Sequence, residues 1–500
     1  MPRSRRTPTT ATALAASLAV VAGAVLTGGA APAAAAPAGA AAAPAASPAA
    51  APAKFHDDFN GDGYRDLVVA APSGTVSGVR RAGYVAVLYG SAGGLDTAER
   101  KVLSQTTAGV PGTSEAGDAF GATLAAADFD RDGYADLAVG VTGEDLGGVA
   151  DTGRTVILYG SSGGLSGSGA QDLRPASLTE GNAYATGLAA GDWFHDGSTA
   201  LAILSKDHLE LYGGWGAARS PARAQSGHPF ADFPEEFTPT GLVGGDFEGD
   251  GADDLVVTGK KWSLEYLEGY SLYLKGGGPE GYTRTEFAGG PVGVAGDIDK
   301  DGADDLAIGD PTVLEHGEWD LSGGEVEVWY GAGGGPGVGQ PEVWKQGSGG
   351  VPGAYELEDR FGGDVSLGDV NGDGYPDLAV GAEGEAIGAA DDAGAVWLLR
   401  GSAGGLTTSG VQHFNQDTAG VPGAAEAGDL FGSDVRLHDA NRDGRSGLIA
   451  GAPGENAGHG YAWVLQARSG GLTADGSWTF DGASVGADGA NARFPETIAE

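Results

Sequence analysis

Cysteine is absent from the 500 residues, which excludes disulfides, zinc thiolate sites and cysteine nucleophiles together. Positive charge is scarce: 28 Lys and Arg stand against 68 Asp and Glu, a formal net charge of −40. That balance argues against nucleic acid or an anionic membrane surface as partner. Histidine occurs 8 times, never as a His-x-x-x-His pair, so the helical zinc-hydrolase motif is missing. Long apolar runs are missing after the first segment. The one present, from about Ala11 to Leu26, follows Arg3, Arg5 and Arg6 and precedes Ala31-Pro32-Ala33. This reads as a secretory signal peptide over 1–33, then an Ala/Pro-rich linker over 34–53. The expected product is secreted and extracellular, with no membrane insertion after signal cleavage.

Glycine, at 94 residues, is abundant but follows no collagen triplet and separates apolar runs of strand length. The most informative run is Asp369-Val370-Asn371-Gly372-Asp373-Gly374-Tyr375-Pro376-Asp377, with oxygen-bearing side chains at positions 1, 3, 5 and 9. Carboxylates held about 4 Å apart repel by about 4 kcal/mol per pair at an effective dielectric near 20, so such a loop asks for a cation. All-oxygen ligands favour Ca²⁺, and the backbone carbonyl of Tyr375 adds another donor. An EF-hand is excluded, because position 12 is Val380 instead of Glu and strands replace the helices. A single copy could be a plain Asx turn; recurrence argues for metal.

The pattern recurs at Asp58, Asn60, Asp62 and Asp66; at Asp128, Asp130, Asp132 and Asp136; at Asp246, Glu248, Asp250 and Asp254; and at Asp297, Asp299, Asp301 and Asp305. Tyr64, Tyr134, Ala252 and Ala303 occupy the position of Tyr375. Two copies are degraded: Asp439, Asn441 and Asp443 precede Gly447 where the closing Asp belongs, and the Asp192 copy has Phe194 and Ala200 at positions 3 and 9. Partial occupancy is expected at Asp439, and a metal-free turn at Asp192.

Each repeat holds four short strands, typified by Phe120 to Ala127, Leu137 to Gly140, Thr155 to Gly160 and a fourth near Gln171 to Leu178. Small residues in the first strand suit a crowded axis, and bulk such as Tyr159 or Trp397 suits the periphery. The expected fold is all-β: a seven-bladed β-propeller of four-stranded antiparallel blades over 54–500. Only Lys54 to Asp57 precede the first acidic loop, too few for a first strand. The run from Phe494 to Glu500 continues into Asp57 and Asp58 with the spacing of Phe120 to Asp128, so a C-terminal strand should complete blade 1.

Val-Pro-Gly segments at Val110, Val351 and Val421 lead through acidic residues into Phe120-Gly121, Phe361-Gly362 and Phe431-Gly432. With these motifs and the acidic loops, the chain resembles the FG-GAP repeat family, similar to the head propeller of integrin alpha subunits. The resemblance implies Ca²⁺ at the acidic loops, with Asp58, Asn60, Asp62, Asp66 and their equivalents as ligands, and a ligand on the opposite face. A monomeric binding or adhesion module for a protein or glycan follows, rather than an enzyme. The alternative is a secreted hydrolase or lyase using the central channel, against which stand innermost strands of Ala, Gly, Leu and Val. Gly160-Ser161-Ser162-Gly163-Gly164 matches a nucleophile elbow in letters only, since it joins two strands.

Overall fold

A computed structural model describes residues 55–499 except 216–218, 220, 225–232, 235, 264–265, 277–282, 312–322 and 332–333. The leader, the linker and Glu500 lie outside the described residues. Seven antiparallel sheets of four strands form the blades of a propeller, and the described helix is one short turn, Glu455–Gly458. Blade 2 is typical, with strands Phe120–Ala127, Asp136–Val141, Arg154–Tyr159 and Ser166–Leu173 in that order from axis to rim. Its fourth strand starts earlier than the sequence suggests, because the turn Gly163-Gly164-Leu165, a Gly-Gly-Leu that recurs at Leu95, Leu406 and Leu472, is tight.

Burial follows from stacking sheets face to face. A second strand such as Asp377–Ala382 is buried at every residue, while a fourth strand such as Thr283–Ala288 is mostly exposed. Apolar side chains gather into seven clusters, each joining two neighbouring blades; Leu378 and Val380 of blade 6, for example, pack with Val326 and Val328 of blade 5. The core therefore lies between blades, and no blade could bury its faces alone.

The C-terminal strand closes the ring as the spacing implied. Thr497–Ile498 pairs with Leu67–Ala71 in the register Val69 to Ile498 and Ala70 to Thr497. Leu124 faces Val139 in blade 2 in the same way. The strand stops at Ile498, and Asp57 continues its line, its carbonyl accepting the Asp66 N–H at 3.0 Å.

One clasp recurs at five blade junctions. The N–H of Phe120, Tyr184, Phe361, Phe431 and Phe494 donates to the carbonyls of Ala82, Thr152, Gly323, Ala393 and His459. Each aromatic ring is fully buried. Tyr184-Ala185 is thus the blade 3 counterpart of Phe-Gly, a substitution that hid it in the sequence.

Candidate metal centre

The acidic loops lie between the first and second strands of each blade. Position 1 sets the turn: Asp58 Oδ1 accepts N–H groups from Gly61 at 2.7 Å and Asp62 at 3.1 Å, and Oδ2 accepts from Gly63 at 2.9 Å. Position 5 accepts from position 7, as Asp62 Oδ1 does from Tyr64 at 2.9 Å. Position 9 performs a different task. Asp66 takes the Phe59 N–H on Oδ2 and the Gly90 N–H on Oδ1, both at 2.9 Å, tying its own loop to the turn after the third strand. Asp136, Asp305 and Asp377 do the same with Gly160, Gly331 and Gly401. These bonds place the acidic loops and the Gly-Gly-Leu turns on one face. They also place the Ser161 and Ser162 hydroxyls in a strand-to-strand turn, where no nucleophile elbow can form.

The closing carboxylates are the most buried of the set, with Asp136, Asp305 and Asp377 at 0% exposure. Burial lifts Asp66 and Asp136 to about 8, against their backbone hydrogen bonds and helped by neighbouring acids. Asp305 and Asp254 rise to about 7 for the same first cause. Ionising these groups without a nearby cation is unfavourable.

The loops differ in how they meet that cost. In loop 1, Asn60 Oδ1 accepts the Asp62 N–H at 2.8 Å, which turns its Nδ2 to donate to Asp62 Oδ2 at 3.1 Å. Loop 6 repeats this with Asn371 and Asp373, and Arg400 also reaches Asp377 Oδ2 at 3.0 Å. In loop 2, ligand atoms of Asp128, Asp130 and Asp136 come within 4.8 Å of one another, but Arg219 ion-pairs with Asp130 and Asp132 and lies over the Tyr159 ring. In loop 4, Lys275 pairs with Glu248 at 2.9 Å and the Tyr273 hydroxyl donates to Asp254.

Loop 5 gathers Asp297, Asp299 and Asp301 within the same 4.8 Å, and among the described residues no Lys or Arg pairs with them. Asp297 accepts backbone N–H groups on both oxygens, from Asp301 and Gly302, whereas Asp299 and Asp301 each accept on one. The donor set fits a hard divalent cation. At loop 7, Asp439, Asn441 and Asp443 form the same turn above Gly447. At Asp192 the turn forms with Asp196 and Gly197 although Phe194 and Ala200 replace two acids. The backbone turn therefore does not depend on the full acid set.

A cavity of about 760 Å³ runs along the axis between walls of Ala, Gly, Leu and Val, with His56, Arg65, Asp192, Asp253 and Arg436 among its polar lining residues. Sequence reading missed this polar group. Arg65 binds Asp57 at 2.9 Å, and His438, buried against them, is held down to about 3 by burial and the Arg65 charge. No described helix is long and apolar enough to cross a membrane.

The FG-GAP repeat matches this chain at residues 56–88, 120–158 and 361–399, which correspond to blades 1, 2 and 6. Integrin alpha-5 of Xenopus laevis is 26% identical over 278 residues, 53% of this chain and 24% of that protein. Phosphatidylinositol-glycan-specific phospholipase D of Rattus norvegicus is 32% identical over 181 residues, 36% of this chain and 21% of that protein. Integrin alpha-3 of Mus musculus is 32% identical over 133 residues, 26% of this chain and 11% of that protein. The chain thus spans a quarter or less of the length of these relatives. It is a seven-bladed propeller that carries FG-GAP repeats and is similar in sequence to integrin alpha chains.

Proposed function

We propose that this chain is a secreted, Ca²⁺-stabilised binding module that engages a protein or glycan through the face opposite the acidic loops. The carboxylate cluster of loop 5, with no basic partner among the described residues, is the observation that carries the metal assignment. The long connections Glu144 to Asp151, Glu383 to Asp392 and Glu455 to His459 share the other face, and long loops on a rigid scaffold commonly carry recognition. The integrin relatives favour a binding role. The phospholipase D relative keeps a hydrolase reading in play, with the axial cavity as its place.

Calcium counted by equilibrium dialysis tests the metal assignment. Replacing Asp297 and Asp301 together with Asn should remove one bound ion, whereas Asp196→Asn should remove none. Each ion at ten times its Kd adds about 1.4 kcal/mol to stability, so excess chelator should lower the melting temperature. An unchanged count in the loop 5 variant, or an unchanged melting curve in chelator, would overturn the assignment.

A further inference from the structure

The connection between the second and third strands is the same turn in blades 1, 2 and 6, on the face away from the acidic loops. It spans 72–83, 142–153 and 383–394, and a backbone bridge pins each copy: Val76 with Val79, Leu146 with Val149 and Ile387 with Ala390. Each copy also gives a carbonyl to the next blade, where Arg81, Asp151 and Asp392 accept the N–H groups of Ala119, Ala183 and Leu430. Their charges differ in sign. Blade 2 carries Glu144, Asp145 and Asp151, and blade 6 carries Glu383, Glu385, Asp391 and Asp392, with no basic residue in either turn. Blade 1 carries Arg80 and Arg81 and no acid. Arg81 takes φ +55 where Asp151 and Asp392 take +47 and +52, a left-handed backbone that suits Asp better than Arg. The fold therefore does not ask for arginine at this point.

The closure segment brings a third guanidinium to the same place. Arg493 directly precedes the clasp residue Phe494, and the three arginines, all exposed, line one pocket of about 630 Å³. Arg493 Nε donates to Glu496 Oε1 at 2.8 Å, and Glu496 also accepts the N–H and the hydroxyl of Ser73 at 2.9 and 3.1 Å. Among the described residues no carboxylate pairs with Arg80 or Arg81. Asp488 lies in the wall, where its Oδ1 accepts the Ala490 N–H at 3.1 Å. Thr75 and Asn491 add a hydroxyl and an amide, and Ala490 is the largest apolar side chain among the described lining residues.

Given the binding module proposed above, we propose that this pocket takes an acidic sugar residue of a glycan, with its carboxylate or sulfate held by Arg80 and Arg81. Planar guanidinium forks match an anion that presents two oxygens, and two forks without a carboxylate of their own leave that place to a ligand. Thr75, Asn491 and Asp488 present donors and acceptors for the ring hydroxyls, in a volume of the size that small ligands occupy. An acidic peptide is the poorer match. Peptide and protein interfaces draw their energy from buried aromatic and aliphatic anchors, and this wall offers no pocket for one.

Isothermal titration calorimetry of the full chain in excess Ca²⁺ tests this with four probes: a hexuronic acid trisaccharide, a sulfated trisaccharide, a neutral trisaccharide and a hexapeptide of glutamate. At least one acidic sugar should bind more tightly than the neutral sugar and the peptide, and comparing the two acidic sugars names the anionic group. The double variant Arg80→Ala with Arg81→Asp should weaken that binding by about tenfold, as expected for loss of a charge-assisted contact. Its melting temperature should not change, since Asp holds the same left-handed position in blades 2 and 6. Arg80→Lys with Arg81→Lys keeps the charge without the forks, and should fall between the double variant and the unaltered protein. Undiminished binding in the Ala and Asp variant, or preference for the neutral sugar or the peptide, would overturn the site and leave the binding module standing. Silence with all four probes also overturns the site, and the module falls with it only if a pull-down from the medium of the secreting cells captures nothing.

Discussion

A carboxylate's position in these loops decides what it can do. In loop 5 the carboxylates at positions 3 and 5 each commit one oxygen to a backbone N–H, whereas Asp66 spends both oxygens on two separate turns. The closing aspartate is therefore structural as well as acidic, and Gly447 at loop 7 removes that tie. A buried acid outside the loops gives a clear test of the electrostatics. Glu327, on the third strand of blade 5, is lifted to about 7 by burial first and then by Glu325, with Asp310 adding to the effect, while Trp329 and the Lys345 charge oppose it. Its Oε2 is buried without a partner. The unfolded chain releases this proton near pH 4.5, but the folded protein holds it until about 7. The unfolded state thus binds fewer protons across that window, and stability falls as pH rises through it. Glu327→Gln should raise the melting temperature at pH 8 and leave it nearly unchanged at pH 4. An equal shift at both pH values would show that packing, not charge, sets the effect.

At the scale of the element, the clasp between blades explains why the repeat has the sequence it has. Gly394 sits at φ +85 just before the third strand of blade 6, and a Cβ there would lie 2.2 Å from the Phe431 carbonyl oxygen. Gly394→Ala should therefore destabilise by more than about 1 kcal/mol, combining a left-handed backbone with a backbone collision. Urea unfolding reads this directly, and a loss below that level would mean the clasp gives way at little cost. Much of this was legible in sequence, because Phe-Gly, the acidic loops and Gly-Gly-Leu mark fixed points of a four-stranded unit. The clasp of blade 3 escaped because Tyr184-Ala185 keeps it and changes both letters; Ala185 accepts φ +72 where glycine is usual. The basic partners of the loops escaped for another reason. Arg219 lies 87 residues from Asp132 and meets it only because adjacent blades stack. Metal preference among the loops therefore could not be ranked from the motif, which reads the same at loop 2 with its arginine and at loop 5 without one.

For the whole molecule, closure is a property of two short segments that meet across almost the entire chain. Thr497–Ile498 covers one edge of Leu67–Ala71, Glu496 accepts the Ser73 N–H at 2.9 Å, and Ile498 N–H donates to Asp434 of blade 7 at 3.1 Å. Phe494 fills the last junction, stacked on Tyr84 with centroids 6.4 Å apart and edge-on to Phe480 at 5.7 Å. This junction is built like the others, so losing it should cost as much as a core deletion elsewhere. Phe494→Ala should destabilise by about 3–5 kcal/mol, in the range of a buried phenylalanine truncation. Removing residues 493–500 goes further, because it also bares the Leu67–Ala71 edge, whose five residues are fully buried in the closed ring. An open, flat, apolar edge is a template for pairing with another chain. The truncated protein should melt lower than the Phe494→Ala variant and grow in size with concentration in sedimentation velocity, whereas Phe494→Ala should stay monomeric. If the truncated protein melts with the point variant and stays monomeric, the side chain alone closes the ring and the strand pairing contributes little.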